Sequence, residues 1–177
     1  KDGDNSLALT IAANCSMVFN RDEETAGQFA RSAVRANPAN AMAWWVLGHI
    51  QLYAGKYEES YATSIQGQRL ARGTNLQYWL DFQQSLAAAF CKKLDVARMH
   101  SQSAAVLRPE FRAAHRFALA LHSAADDKER AQEAIRKLSR LEDGFGPRRL
   151  AFDIDYPASL IRQMPFFSPS KLVALEG

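Results

Sequence analysis

The sequence is poor in the residues that interrupt helices. Nine glycines and six prolines are spread over 177 positions, and four of the six prolines lie beyond Gly146. A turn-dense β-sandwich or barrel is therefore not expected. Cysteine is nearly absent: Cys15 and Cys91 could form one disulfide at most, and both fall inside helical patterns far apart in sequence, which reads as small buried thiols in a reducing compartment. No apolar run approaches the roughly 18 residues that a membrane-spanning helix requires, and no charged-then-apolar leader is visible. A cytoplasmic protein with no membrane partner is the expectation. Because the chain opens at Lys1 and not at a methionine, it is also expected to be part of something longer.

Charge of a single sign is missing as well. The 22 basic and 19 acidic residues alternate almost everywhere, so the formal net charge of +3 points to no nucleic-acid partner for this segment. Chemistry-bearing constellations are equally scarce. There is no Gly-rich phosphate loop and no Ser–His–Asp or Cys–His arrangement in a scaffold signature, so neither catalysis nor a cofactor is expected. Of the four histidines, His49, His100, His115 and His122, the closest two are seven apart, too far for helical metal ligation at i, i+3 or i+4. Asp153 and Asp155 in FDIDYP lie in a loop pattern with no pocket around them, which argues against a glycosidase pair.

What the chain does have is residues that lose little on entering a helix, Ala, Leu, Gln and Arg, with 47% hydrophobic residues to fill a core. They recur. Small residues return at Ala26, Ser60, Ala97 and Ala131, at intervals of 34, 37 and 34. Ala33, Gly67, Ala104 and Leu138 keep the same intervals, and so do the segment ends Pro38, Arg72, Pro109 and Asp143. Two antiparallel helices approach closely only where side chains are small, and a lone hairpin cannot bury its apolar face, so such hairpins must stack. The three extra residues fall at 72–75, RGTN, where an inter-repeat loop tolerates them.

The spacing predicts one domain over 1–177 with helical hairpins at about 6–37, 41–71, 76–108 and 111–142. In ADDKERAQEAIRKLSRLEDG, Asp126, Asp127 and Glu129 precede Arg136, Lys137 and Arg140 in the order the helix dipole favours, and Gly144 closes the helix. The tail 144–177 is expected to cap the last hairpin with short helices at 147–155 and 157–164.

Trp44, Leu47, Gly48, Tyr57 and Gly67 in the second segment, with Ala26, Ala30, Ala33 and Pro38 in the first, resemble the tetratricopeptide repeat (TPR) family. Ser85 and Leu119 stand where that pattern has Gly48. The resemblance implies an all-α, right-handed superhelix of about four hairpins with a C-terminal capping segment. More narrowly, the repeat opening RPEFRAAHRFALAL and the tail GFGPRRLAFDIDYP are similar to the C-terminal repeat region of bacterial class III nucleotide cyclases and winged-helix transcriptional regulators. That likeness implies a regulatory role in signalling or transcription.

In TPR proteins the groove is lined by first-helix side chains facing away from the core. Carried over, this gives Trp45, His49 and Tyr53 in the second repeat, Trp79, Phe82, Gln83 and Leu86 in the third, and Arg116 with Ala120 in the fourth. Relatives that clamp a C-terminal carboxylate use Lys and Asn where this chain has Ile11 and Cys15, Trp45 and His49, Phe82 and Leu86, so a carboxylate clamp is not expected. Of the basic row Arg108, Arg112 and Arg116, only Arg116 is expected to reach the groove. The expected partner is a protein or peptide segment with apolar or aromatic anchors, bound by a non-catalytic scaffold. The alternative is a homodimerisation module that brings upstream domains together.

Overall fold

The computed structural model describes residues 2–176, and the described residues are helical with no strand among them. They fall into two compact units, Lys1–Cys91 and Lys92–Gly177. Unit one holds α1 (Asp2–Cys15) with a π-helical continuation over Ser16–Asn20, then α2 (Glu23–Ala36), α3 (Ala41–Tyr53), α4 (Tyr57–Ala71) and α5 (Gln77–Phe90). Unit two holds α6 (Leu94–Leu107), α7 (Arg112–Ala124), α8 (Lys128–Leu141) and the short helices α9 (Pro147–Phe152), α10 (Ser159–Arg162) and α11 (Pro169–Val173). The expected third hairpin is thus divided between the units. The tail contains three helices where two were expected; α11 starts at Pro169, whose fixed φ suits a first helical position, behind the Ser168 cap.

The helix starts are written locally. Asp22 accepts a hydrogen bond from the Thr25 amide at 3.0 Å, and Asn40 accepts from the Met42 and Ala43 amides. Asp127 accepts from the Arg130 amide at 3.2 Å. Each satisfies helix N–H groups that have no intrahelical partner. The turns repeat too. Arg21, Gly55, Lys92 and Asp126 all take left-handed backbone, with φ of 51°, 71°, 60° and 57°. They stand 34, 37 and 34 apart, so the period of the sequence is also a period of the backbone.

The expected small residues do what close packing requires. Ala26, Ser60, Ala97 and Ala131 are completely buried, as are Ala33, Ala104 and Leu138. In unit one, α1 pairs with α2 and α3 with α4, while the first helices α1, α3 and α5 adjoin in order. Ala13, Ala26, Ala30, Val46, Leu47 and Ile50 form its core, with Trp45 packed on the edge. At Gly67 a Cβ would stand 2.7 Å from Leu80 Cδ1 and 3.2 Å from Trp44 Cβ, so α4 meets α3 and α5 too closely for any larger residue. The Ser60 hydroxyl, buried across the hairpin, donates to the Gly48 carbonyl at 2.7 Å. Ser85 and Leu119, the residues in Gly48's place, are fully buried, and Ser85 turns its hydroxyl back to the Phe82 carbonyl.

In unit two, α7 pairs with α6 and α8 and is also touched by α11. The Arg162 guanidinium ties the tail together by donating to the carbonyls of Leu150, Asp153 and Tyr156. Asp153 pairs with Arg149 at 3.4 Å and accepts from the Asp155 amide, which makes it a loop-closing residue. One sequence expectation is corrected here. Cys15 is exposed and Cys91 only half-buried, because Cys15 lies on the outward face of α1 and joins the π-helical turn; neither is in a disulfide.

Candidate functional site

Helical spacing brings Trp45, His49 and Tyr53 onto one stripe of α3, and α5 lays Trp79 beside it. The rings form a continuous ladder. Trp45 stacks on Trp79 with centroids 5.0 Å apart and planes at 22°, and on His49 at 5.2 Å and 20°. His49 meets the edge of Tyr53 at 4.9 Å, and Tyr78 meets the edge of Trp79 at 5.9 Å. Offset stacks and edge contacts of this kind contribute about 0.5–1.5 kcal/mol each beyond burial. They also fix the rings in place relative to one another.

The ladder is electrically neutral. Burial pushes the His49 imidazole down to about 4, so it is uncharged at neutral pH and stacks as an ordinary aromatic ring. Burial pushes the Tyr53 phenol up, so it stays protonated. Tyr53 is 43% exposed, whereas Trp45, His49, Trp79 and Phe82 are half-buried.

Four of the expected groove residues lie elsewhere. Gln83 and Leu86 are buried, at 1% and 4% exposure, and belong to the interior. Gln83 is drawn in because Gly48 leaves a hollow: a Cβ there would lie 2.2 Å from Gln83 Nε2, which donates instead to the Trp45 carbonyl at 3.0 Å. Arg116 is also withdrawn from any groove. Its guanidinium bonds Glu142 Oε1 at 2.8–2.9 Å and the Tyr156 hydroxyl at 2.8 Å, and lies over the Tyr156 ring at 4.6 Å. The Tyr156 hydroxyl donates in turn to Glu142 Oε2. Ala120, next along the same stripe, is buried. Arg108 is paired with Glu110 at the surface, so the basic row does not act as a stripe.

Sequence reasoning named Ile11 at a groove position but passed over three further exposed apolar residues of α1 and its π-helical continuation. Leu7, Ile11, Val18 and Phe19 are 57%, 56%, 58% and 79% exposed, although all are strongly apolar. Ile11 and Phe19 stand one period of 34 before Trp45 and Tyr53, and that interval was the signal that finds them. Unit one therefore offers apolar side chains at one repeat position of α1 and aromatic ones at the same position of α3. Among the described residues no group of three His, Cys, Asp or Glu side chains is placed to hold a metal. No described helix is long and apolar enough to cross a membrane.

No protein-family model and no curated protein sequence matches the chain. Solved structures do. MamA aligns with a TM-score of 0.71 at 15% identity, over 98% of this chain and 89% of that one. PilW, a widely conserved type IV pilus biogenesis factor, aligns with a TM-score of 0.74 at 16% identity, over 97% of this chain and 75% of that one. YrrB, a TPR protein with an unusual peptide-binding site, aligns with a TM-score of 0.64 at 14% identity, over 95% and 84%.

The chain has the tetratricopeptide-repeat fold.

With identities this low, the likeness speaks for the fold and not for what is bound. For the TPR reading of the surface, the geometry of α1, α3 and α5 carries the weight. In unit one the aligned residues of α3 and α5 form a neutral, apolar and partly stacked row.

Proposed function

We propose that the chain is a non-catalytic interaction scaffold that binds a protein segment on the first-helix face of unit one, through Trp45, His49, Tyr53, Trp79 and Phe82 extended by Ile11 and Phe19. The observation that carries this reading is the neutral ring ladder from Tyr53 to Tyr78. Large rigid side chains give contact area at little entropic cost, and they are the residues that dominate binding energy at interfaces. Uncharged, half-buried rings favour a segment with apolar or aromatic anchors over a carboxylate terminus. YrrB, of the same fold, is described as having a peptide-binding site, which agrees with this use of the scaffold. A signalling or transcription-regulatory context rests on the resemblance of 108–121 and 144–157 alone.

The test is a selection of displayed peptides against the whole chain. The selected peptides should share apolar or aromatic anchors, and Tyr53→Ala with Ile11→Ser should abolish their binding while leaving the helical circular dichroism unchanged. Selected peptides without such anchors, or ones that bind the double variant as well as the parent, reject the surface. A second copy of the chain is the rival occupant. Light scattering that shows self-association, lost in the same variant, would favour it over a foreign segment.

A further inference from the structure

Unit two carries an open cleft of about 670 Å³ lined by α6, α7 and α8. Its chemistry is unlike that of the aromatic face. Five cations line it, Arg98 from α6 and Arg130, Arg136, Lys137 and Arg140 from α8, against one carboxylate, Glu133. Two of the five are neutralised locally, Arg98 by Asp95 at 3.2 Å and Arg130 by Asp127 at 3.6 Å. Arg136, Lys137 and Arg140 make no ion pair among the described residues. Cations in the last turns of α8 suit its dipole, but the dipole does not require them to converge on a cleft with an arginine of another helix. Arg136 and Arg140 stand one turn apart, a like-charge spacing that destabilises a helix slightly until an anion arrives.

The floor is apolar. Ala105, Val106, Pro109, Ala118, Leu121 and Ala134 line it, and Val106 is 71% exposed. His115 and His122 also line the cleft, but no Trp, Tyr or Phe does, so it lacks the broad stacking platform that single-stranded nucleic acid uses. We infer that this cleft docks an acidic polypeptide segment, its carboxylates on Arg136, Lys137 and Arg140 and its aliphatic side chains on the floor around Val106. Planar guanidinium groups take carboxylates in pairs of hydrogen bonds, which fixes the register of the bound segment. The site is independent of the aromatic face and goes beyond the function proposed for it.

The probe is a fluorescent peptide of alternating Glu and Leu, measured by anisotropy on the full chain at low and physiological salt. A Lys–Leu peptide and an oligothymidylate of matched charge serve as comparisons. The Glu–Leu peptide is expected to bind, to weaken with salt, and to lose about tenfold or more in affinity in Arg136→Gln/Lys137→Gln/Arg140→Gln. Tyr53→Ala should leave this binding unchanged, which separates it from the aromatic face. If the triple variant does not fold, Arg136→Gln/Arg140→Gln, altering two exposed side chains, carries the test. No binding of the Glu–Leu peptide at low salt, unaltered affinity in these variants, or tighter binding of oligothymidylate would each overturn the proposal.

Discussion

The repeat position that α3 fills with Trp45 is filled in α7 by Arg116, and the two units treat it in opposite ways. In unit one the side chain stays half-buried in a neutral ladder of rings. In unit two the chain brings its own tail onto the position: Glu142 from the end of α8 and Tyr156 from the tail close over the guanidinium until only 11% of its side chain is exposed. A position left open must tolerate both water and contact, which aromatic rings do. A position covered permanently can carry a charge, because the counter-charge is supplied by the same chain.

The sharpest way to break this comparison is to remove the charge. Arg116→Met leaves Glu142, whose side chain is 6% exposed, without its cation, and loss of one partner of a buried pair costs about 3–5 kcal/mol. Urea denaturation should show that loss. Arg116→Met combined with Glu142→Leu should recover most of it, since an apolar pair of similar volume is often as stable as the ionic one. If the single variant is as stable as the parent, the tail is not held by this pair.

The aromatic position should respond to pH where the ionic one does not. His49 has a folded value of about 4 against an ordinary value near 6.5, so the unfolded chain takes up the proton first as pH falls. The stability gained by keeping it neutral is complete above pH 6.5. It should fall between pH 6.5 and 4, by an amount on the order of 3 kcal/mol. His122 is also held down, chiefly by burial, and adds to the slope in the same direction. Comparing His49→Phe with the parent at pH 7 and 5 isolates the His49 share. Parallel pH profiles would mean that the ring is open to water.

How much of this was legible in the sequence follows from how local each feature is. The helices and the small-residue series were readable because helix pairing repeats the same short-range demand every 34 or 37 residues. The placing of Trp45, His49 and Tyr53 on one stripe of α3 was readable for the same reason. Arg116 was not, because its partners lie 26 and 40 residues away and no pattern on α7 announces them. Gln83 was not, because the family's groove position was carried onto it by spacing alone, whereas the hollow at Gly48 draws it in toward the Trp45 carbonyl. The third tail helix escaped because Pro169 was taken to break structure when it begins a helix.

The turns allow a finer comparison. Lys92 at the head of unit two and Gly55 in unit one occupy the same left-handed backbone position, with nothing close to a Cβ at Gly55. Lys92→Gly should therefore raise stability by about 0.5–1 kcal/mol, because only glycine takes that conformation freely, and Gly55→Ala should lower it by about 1 kcal/mol. Thermal unfolding resolves both. Equal and negligible shifts would show that these turns relax away from the left-handed region.

Tyr53→Ala is expected to change stability least, and it separates a surface kept for binding from one kept for folding. The ring is 43% exposed and its recorded ring contact is the edge contact on His49, so truncation should cost at most about 1 kcal/mol. Affinity for a segment selected on this face should nonetheless fall by a far larger factor, since a half-exposed aromatic in a pre-stacked row contributes through the partner it meets. Arg116→Met should show the reverse pattern, with a large loss of stability and, at temperatures where the variant remains folded, little change in that affinity. Should both variants lose stability in equal measure and binding in equal measure, the contrast between an open and a self-covered repeat position would have no energetic content.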